Sequence, residues 1–328
     1  TTAIGLMLFD VSARESVGTG KSVTPSNTQR KLMKFGADCE PATSSADLDI
    51  NNVRTKILNG GDMWWDLIAA ARYEIPKGSG NNAMFSGALW LGGKDVSGQL
   101  KVAAQTYRNS GNDFWTGPLN TITSEISPET CVKFDRHFKT TRDEVEKFSY
   151  WFELGQIDPQ KQQEDFPDYQ IPQSILNWPA HGRNSDPYNE DFYLAPFYDR
   201  NNDGVYNPLD GDYPGYDLKN ENDCSKKIAN IYGDQNLWWV FNDKGNAHTQ
   251  TGGASIGMEI RAQAFAFATN DEVNNMTFYN YELINRSTYT LTETYFGVFA
   301  DADLGNYDDD FVGCDVMRGL GYCYNGDD

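Results

Sequence analysis

The residues whose types and spacing best suit chemistry run from Asp199 to Asp210 in the stretch DRNNDGVYNPLD. Oxygen side chains stand at loop positions 1, 3 and 5, a glycine (Gly204) at position 6 permits a sharp turn, and a carboxylate returns at position 12. This is the spacing of a calcium loop, because a hard divalent cation takes six to eight oxygen ligands from a chain that must fold tightly around it. The expected ligands are the side chains of Asp199, Asn201, Asp203 and Asp210 and the main-chain carbonyl of Val205. Position 12 is Asp rather than the longer Glu, and Gly211, Pro214 and Gly215 preclude a regular exiting helix. The sequence therefore predicts a structural calcium clip rather than a helix–loop–helix sensor. An Asn/Asp/Gly turn without an ion is the plain alternative.

A second acidic group, Asp301, Asp303, Asp308, Asp309, Asp310 and Asp315, surrounds Gly305. Like charges at this density repel unless they are hydrated or bridged by a cation. Asp301 and Asp303 are the first candidates for a second calcium site, since they leave a strand end together. A solvated acidic loop is the competing reading.

Other signatures are weaker. Gly253-Ala254-Ser255-Ile256-Gly257 matches a GxSxG nucleophile elbow, but no apolar strand precedes it and the last histidine, His248, comes before Ser255 rather than after it. Gly18-Thr19-Gly20-Lys21-Ser22 resembles the end of a phosphate loop, yet Glu15 stands where that loop needs glycine. His137, His181 and His248 lack zinc-site spacing. With 47 Asp and Glu, a glycosidase-like carboxylate pair can be drawn anywhere and so points nowhere. Trp64-Trp65, Trp238-Trp239, Trp90, Trp115, Trp151 and Trp178 could stack on sugar rings if exposed in a row, although tryptophans are more often buried.

The elements that must position these residues read as mainly β. The 328 residues carry 27 Lys+Arg against 47 Asp+Glu, a net charge of −20, which repels phosphate and argues against nucleic acid as a partner. No apolar run approaches the roughly 18 residues of a membrane span. The 8 Trp, 18 Tyr and 18 Phe are too many for a disordered acidic chain. Residues 236–242, 258–269, 276–285 and 291–300 read as antiparallel strands, with Thr277, Tyr279, Tyr281 and Leu283 on the buried face of the third. Residues 84–107 read as a hairpin turning at 94–98. Thr141 and Glu144 cap a helix over 141–152, ending near Gly155, whose apolar face is Val145, Phe148 and Phe152. Ile50, Val53 and Ile57 suggest a short helix ending at Asn59-Gly60-Gly61. The prolines scattered through 156–217 predict loops without regular helix or central strand.

The expected fold class is an antiparallel β-sandwich-like chain with long Pro/Gly-rich loops and a few short helices. Residues 1–49 form an irregular N-terminal arm, 50–190 a β-rich part with one helix, and 191–328 the calcium loop with further sandwich strands, the two larger parts either separate or sharing one core. Of the five cysteines, only Cys314 and Cys323 lie close enough in sequence to suggest a local disulfide, and the odd count leaves one thiol over.

The segments NGGDMWWDL (59–67), GALWLGG (87–93), NDFWTGPL (112–119), ILNWPAHG (175–182), DRNNDGVYNPLDGDYPGY (199–216), NLWWVFND (236–243), AFATNDEVNNMTFYNYELINRS (266–287) and FGVFADADLG (296–305) carry a resemblance. Over roughly residues 50–328 the chain resembles the N-terminal region of large secreted Bacteroidota proteins exported by the type IX secretion system. The resemblance implies export, an extracellular or outer-surface location and access to calcium, and it assigns no catalytic residues. Together these readings give the expected function: a non-enzymatic, calcium-stabilised structural or adhesive surface or matrix protein that self-assembles, in filaments for example, or binds matrix components. A secreted glycan-binding module and part of a secreted hydrolase are the alternatives.

Overall fold

The structure is a computed structural model that describes residues 38–219, 230–306 and 308–326. The turn at 18–22, most of the expected arm and Cys224 lie outside the described residues.

Alternation of apolar and polar residues builds two antiparallel sheets. The first contains β1 (Ser45–Leu48), β2 (Arg54–Leu58), β3 (Asp62–Met63), β4 (Tyr73–Glu74), β5 (Asn82–Lys94), β6 (Leu100–Ala104) and, from far along the chain, β14 (Thr292–Ala302). Long β5 is its spine, with β14 on one side and β3, β4 and β6 along the other. The second contains β7 (Trp115–Thr116), β8 (Phe138–Thr141), β11 (Gln235–Asn242), β12 (Met258–Ala266) and β13 (Phe278–Asn285). The expected hairpin at 84–107 forms as β5 and β6.

The sheets face each other over one apolar core. Leu48, Ile57, Met63, Trp64, Leu89 and Leu91 meet Leu237, Trp239, Phe241, Ile260, Tyr279 and Tyr281 there. Some aromatic polar ends find partners across the gap, where Trp64 Nε1 donates to Tyr279 Oη at 2.7 Å and Tyr73 Oη lies 3.0 Å from Thr277 Oγ1. Gly87 is required by this packing, since a Cβ there would come within 2.5 Å of the Trp64 ring. The predicted buried face of β13 faces this core: Thr277, Tyr279 and Tyr281 are buried and Leu283 packs against it.

Every residue of β11 is buried because its other face is also covered. Trp238 and Val240 pack there against Val145 and Phe148 of α2 (Arg142–Ile157), Ile175 of α4 (Gln173–Leu176), Trp178, Leu194, Tyr213 and Tyr216. This third layer holds the 199–212 loop. Helix α1 (Pro128–Phe134) joins β7 to β8, and α3 (Pro159–Asp165) follows α2.

Several expectations are corrected. Residues 54–58 form β2 rather than part of a short helix. The arm ends earlier than 49, because Ser45–Leu48 pairs with β2. Helices α3 and α4 fit within the Pro-rich stretch, with Pro159 at the start of α3, where its missing N–H costs nothing. The helix capped by Thr141 continues to Ile157. Of the two arrangements left open for the larger parts, the shared core is the one formed, as β14 completes the first sheet and β7 and β8 join β11.

The cysteines also differ from expectation. Cys39 and Cys131 form a disulfide across a sequence separation of 92. The expected Cys314–Cys323 bond does not form, and both are thiols. They lie on β15 (Asp310–Asp315) and β16 (Leu320–Asn325), where Cys314 faces Gly321 and Cys323 faces Val312. That makes them diagonal neighbours, with Cα atoms ~7–8 Å apart in such pairs, beyond the usual disulfide span.

Candidate metal loop and acidic cluster

The 199–212 loop is closed at its base by a short ladder. β9 (Phe197–Tyr198) pairs with β10 (Tyr213–Pro214), and the Tyr198 and Tyr213 rings stack at 4.6 Å. Tyr213 and Tyr216 are buried in the third layer, so the loop's exit is fixed by packing. Its first half curls on itself. Asn202 and Gly204 both take left-handed conformations, at φ 57° and 78°. The curl turns amides onto the acidic side chains: Asp199 accepts from the N–H of Asp203 (3.3 Å) and of Gly204 (2.7 Å), and Asp203 accepts from that of Val205 (2.7 Å). Asn201 accepts from the Asp203 N–H at 3.1 Å and donates its Nδ2 to the Asp203 carboxylate at 2.9 Å.

The second half departs from the expected spacing. Asp210 is exposed and accepts from Asn207 Nδ2 at 2.7 Å. Gly211, at φ 92°, turns the chain, and the carboxylate that returns into the loop is Asp212, fully buried. Asp212 accepts from the amides of Arg200 (2.9 Å) and Asn207 (2.8 Å), tying the two halves together. Its pKa is raised, first by burial and further by the charges of Asp199 and Asp203, against the pull of those amides. The sequence reading missed Asp212; the left-handed Gly211 between the two acids is the signal that separates their directions. His181 supports the loop from outside, accepting the Tyr206 N–H at Nε2 (2.7 Å) while Nδ1 meets Phe192 O (3.0 Å).

The donor set suits a hard cation in kind: carboxylate and amide oxygens in a loop already bent into shape. Among the described residues, however, no three His, Cys, Asp or Glu side chains converge as a ready metal-ligand group, because these carboxylates are turned onto loop amides.

In the second acidic group the structure brings Asp301, Asp303 and Asp310 together. Asp301 accepts from Tyr107 Oη at 2.6 Å, and Asp310 accepts from the Leu304 N–H at 3.1 Å. Asp303 is pushed up by burial and by the charges of Asp310 and Asp301. Burial and Asp310 likewise raise the Cys323 thiol. Asp308 is exposed, and Asp315 pairs with Arg318. Asp310 was named within the acidic group but not as a ligand, because its approach to the end of β14 is set by tertiary structure.

The remaining signatures have structural employment. The amides of Ile256 and Gly257, in the GxSxG segment, and of Met258 wrap the buried carboxylate of Asp243. Both tryptophan doublets are buried; of the eight tryptophans Trp90 is the most open, at 43 % exposed, and it stacks on Phe299 at 5.7 Å. The tryptophans therefore form no exposed row. A cleft of about 370 Å³ lies over Arg54, Lys56, Arg72, Asp47 and Glu74, charges already paired within it or with Asp66. No helix of the described residues is long and apolar enough to cross a membrane.

No known protein family matches the chain, and neither does any curated protein or solved structure.

Proposed function

We propose that this chain is a calcium-stabilised structural module of an extracellular surface or matrix protein, as its resemblance to type IX-exported proteins implies. One observation carries the reading. A loop with the D-x-N-x-D-G order curls Asp199 and Asp203 onto its own amides and brings the buried Asp212 back to the amides of Arg200 and Asn207. A cation there would neutralise these carboxylates and cross-link the two halves of the loop. Asp199, Asn201 and Asp203 would hold calcium through side chains and Val205 through its carbonyl, with Asp212 in place of Asp210 as the returning carboxylate. Bound calcium supplies charge neutralisation and cross-linking of the loop, not chemistry on a substrate. The Cys39–Cys131 disulfide supports an oxidising location.

The test is elemental analysis of the purified protein together with thermal unfolding in calcium and in chelator. Calcium at about 100 times its dissociation constant adds about 2.7 kcal/mol to the folded state. Asp203→Asn, at an exposed position, should abolish the calcium response while leaving the chelated protein's unfolding temperature nearly unchanged. No bound calcium and superimposable melts would remove the reading.

The assembly role rests on β14, which among the described residues pairs only with β5, and on the β15–β16 hairpin, where Val312, Val316 and Met317 are 82 %, 86 % and 96 % exposed. The proposed occupant is a second copy of this chain. Because each copy carries −20, association should strengthen as salt or calcium screens that charge, which sedimentation across ionic strength measures. A monomer at every ionic strength and calcium concentration would rule it out.

A further inference from the structure

His248 is enclosed at the connection between β11 and β12, its side chain 1 % exposed. Both ring nitrogens face main-chain carbonyls: Nδ1 is 2.7 Å from Val102 O, and Nε2 is 2.7 Å from Asp243 O. A carbonyl only accepts, so each contact needs a proton on the ring nitrogen. A neutral imidazole has one such proton and would press a bare lone pair against the other oxygen.

Two buried carboxylates flank the ring. Asp113 lies 3.8 Å from Nδ1 and Asp243 lies 3.7 Å from Nε2, both side chains fully enclosed. Each is surrounded by donors. Asp113 accepts from the amides of Ala104, Gln250 and Thr251 and from Thr251 Oγ1, and Asp243 from those of Ile256, Gly257 and Met258. The Asp243 pKa is raised, burial outweighing the pull of His248 and of these three amides. Trp115 packs against the ring at 5.8 Å, and the nearby Lys101 on β6 is engaged with Asp95 and the Tyr289 ring.

We propose that His248 is held in the native fold as the imidazolium, a buried cation that latches the 243–257 connection to β6 and to the strand entering β7 by donating to both carbonyls and balancing Asp113 and Asp243. A neutral ring would leave one carbonyl without a donor and the two enclosed carboxylates without a counter-charge.

The three histidines make the test internally controlled. His181 donates from one nitrogen and accepts at the other, which fixes it as neutral. His137 is buried, and desolvation pushes its pKa down to about 3. Nitrogen-15 correlation spectra of histidine-labelled protein at pH 7.5 should therefore show two protonated ring nitrogens for His248 and one each for His137 and His181, assigned with His248→Gln or, if that variant fails to fold, with His181→Gln and His137→Gln. A bare nitrogen on His248 at pH 7.5 would overturn the latch.

Discussion

Removing the Cys39–Cys131 bond should lower the unfolding free energy by about 4–5 kcal/mol, the chain-entropy expectation for a bond that closes a loop with a sequence separation of 92. The structure makes the bond's local role specific. Cys39 lies outside the first sheet, and the disulfide anchors it to α1, which sits between β7 and β8 of the second. Cys39 and Cys131 are buried with Trp115, Leu119 and Ile126, so the bond also sits in a small core of its own. Neighbouring polar contacts depend on the same alignment: Asp135 accepts from the amides of Thr43 and Ser44, and the Cys39 N–H donates to Gly245 O at 3.1 Å. The measurement is denaturant unfolding of the oxidised protein against the Cys39→Ala/Cys131→Ala double variant, which avoids leaving a lone thiol. Coincident midpoints would mean that the segment before β1 is held by those contacts alone.

The same bond marks the limit of sequence reading. Which cysteines pair depends on where strands far apart in sequence come together, and nothing in their spacing brings residues 39 and 131 to one place. What was legible was local. The Thr141 cap is present, its Oγ1 accepting from the Glu144 N–H, although the Glu144 carboxylate accepts from Ser174 instead of closing a reciprocal box. Strands β11 to β14 lie where their aromatic runs placed them, because period-two patterning is a property of a few neighbouring residues.

The misreadings have physical causes. Val53 and Ile57 are four apart, a spacing that suits a helix face and equally one side of a strand; Thr55 between them is also buried, and that decides for the strand. In the metal loop the first five positions were legible as a continuous pattern, whereas the returning carboxylate depends on the direction given by Gly211. Asp310 was hidden for a related reason: its approach to Asp301 and Asp303 is a tertiary event. The polar side of β12 is the most misleading case. Glu259, Arg261 and Gln263 alternate with core residues as though facing water, yet the third layer covers them.

That covered face holds the ion network with the second large expected effect. Glu259 is completely buried and accepts from the Leu119 N–H (3.0 Å), from Arg261 Nε (3.0 Å) and from Arg286 Nε and Nη2 (both 3.1 Å). Asp191 completes the square, accepting from both arginines at 2.9 Å. Burial alone would raise the Glu259 pKa, but Arg261, Arg286 and the Leu119 amide outweigh it and hold the carboxyl below its usual range. The folded value is thus depressed, so the group stabilises the fold above about 4.3, its ordinary unfolded value, and that contribution is lost as pH falls through the folded one. Glu259→Gln leaves two enclosed guanidinium groups sharing the half-exposed Asp191, and it should cost about 3–5 kcal/mol. Replacing the partner as well, in Glu259→Gln/Arg286→Met, removes one stranded charge and should recover part of the loss. Denaturant unfolding of the single and double variants measures this directly. Equal stability of the single variant and the parent would show that the arginines reach solvent when Glu259 is neutralised, and that the third layer is looser than its packing implies.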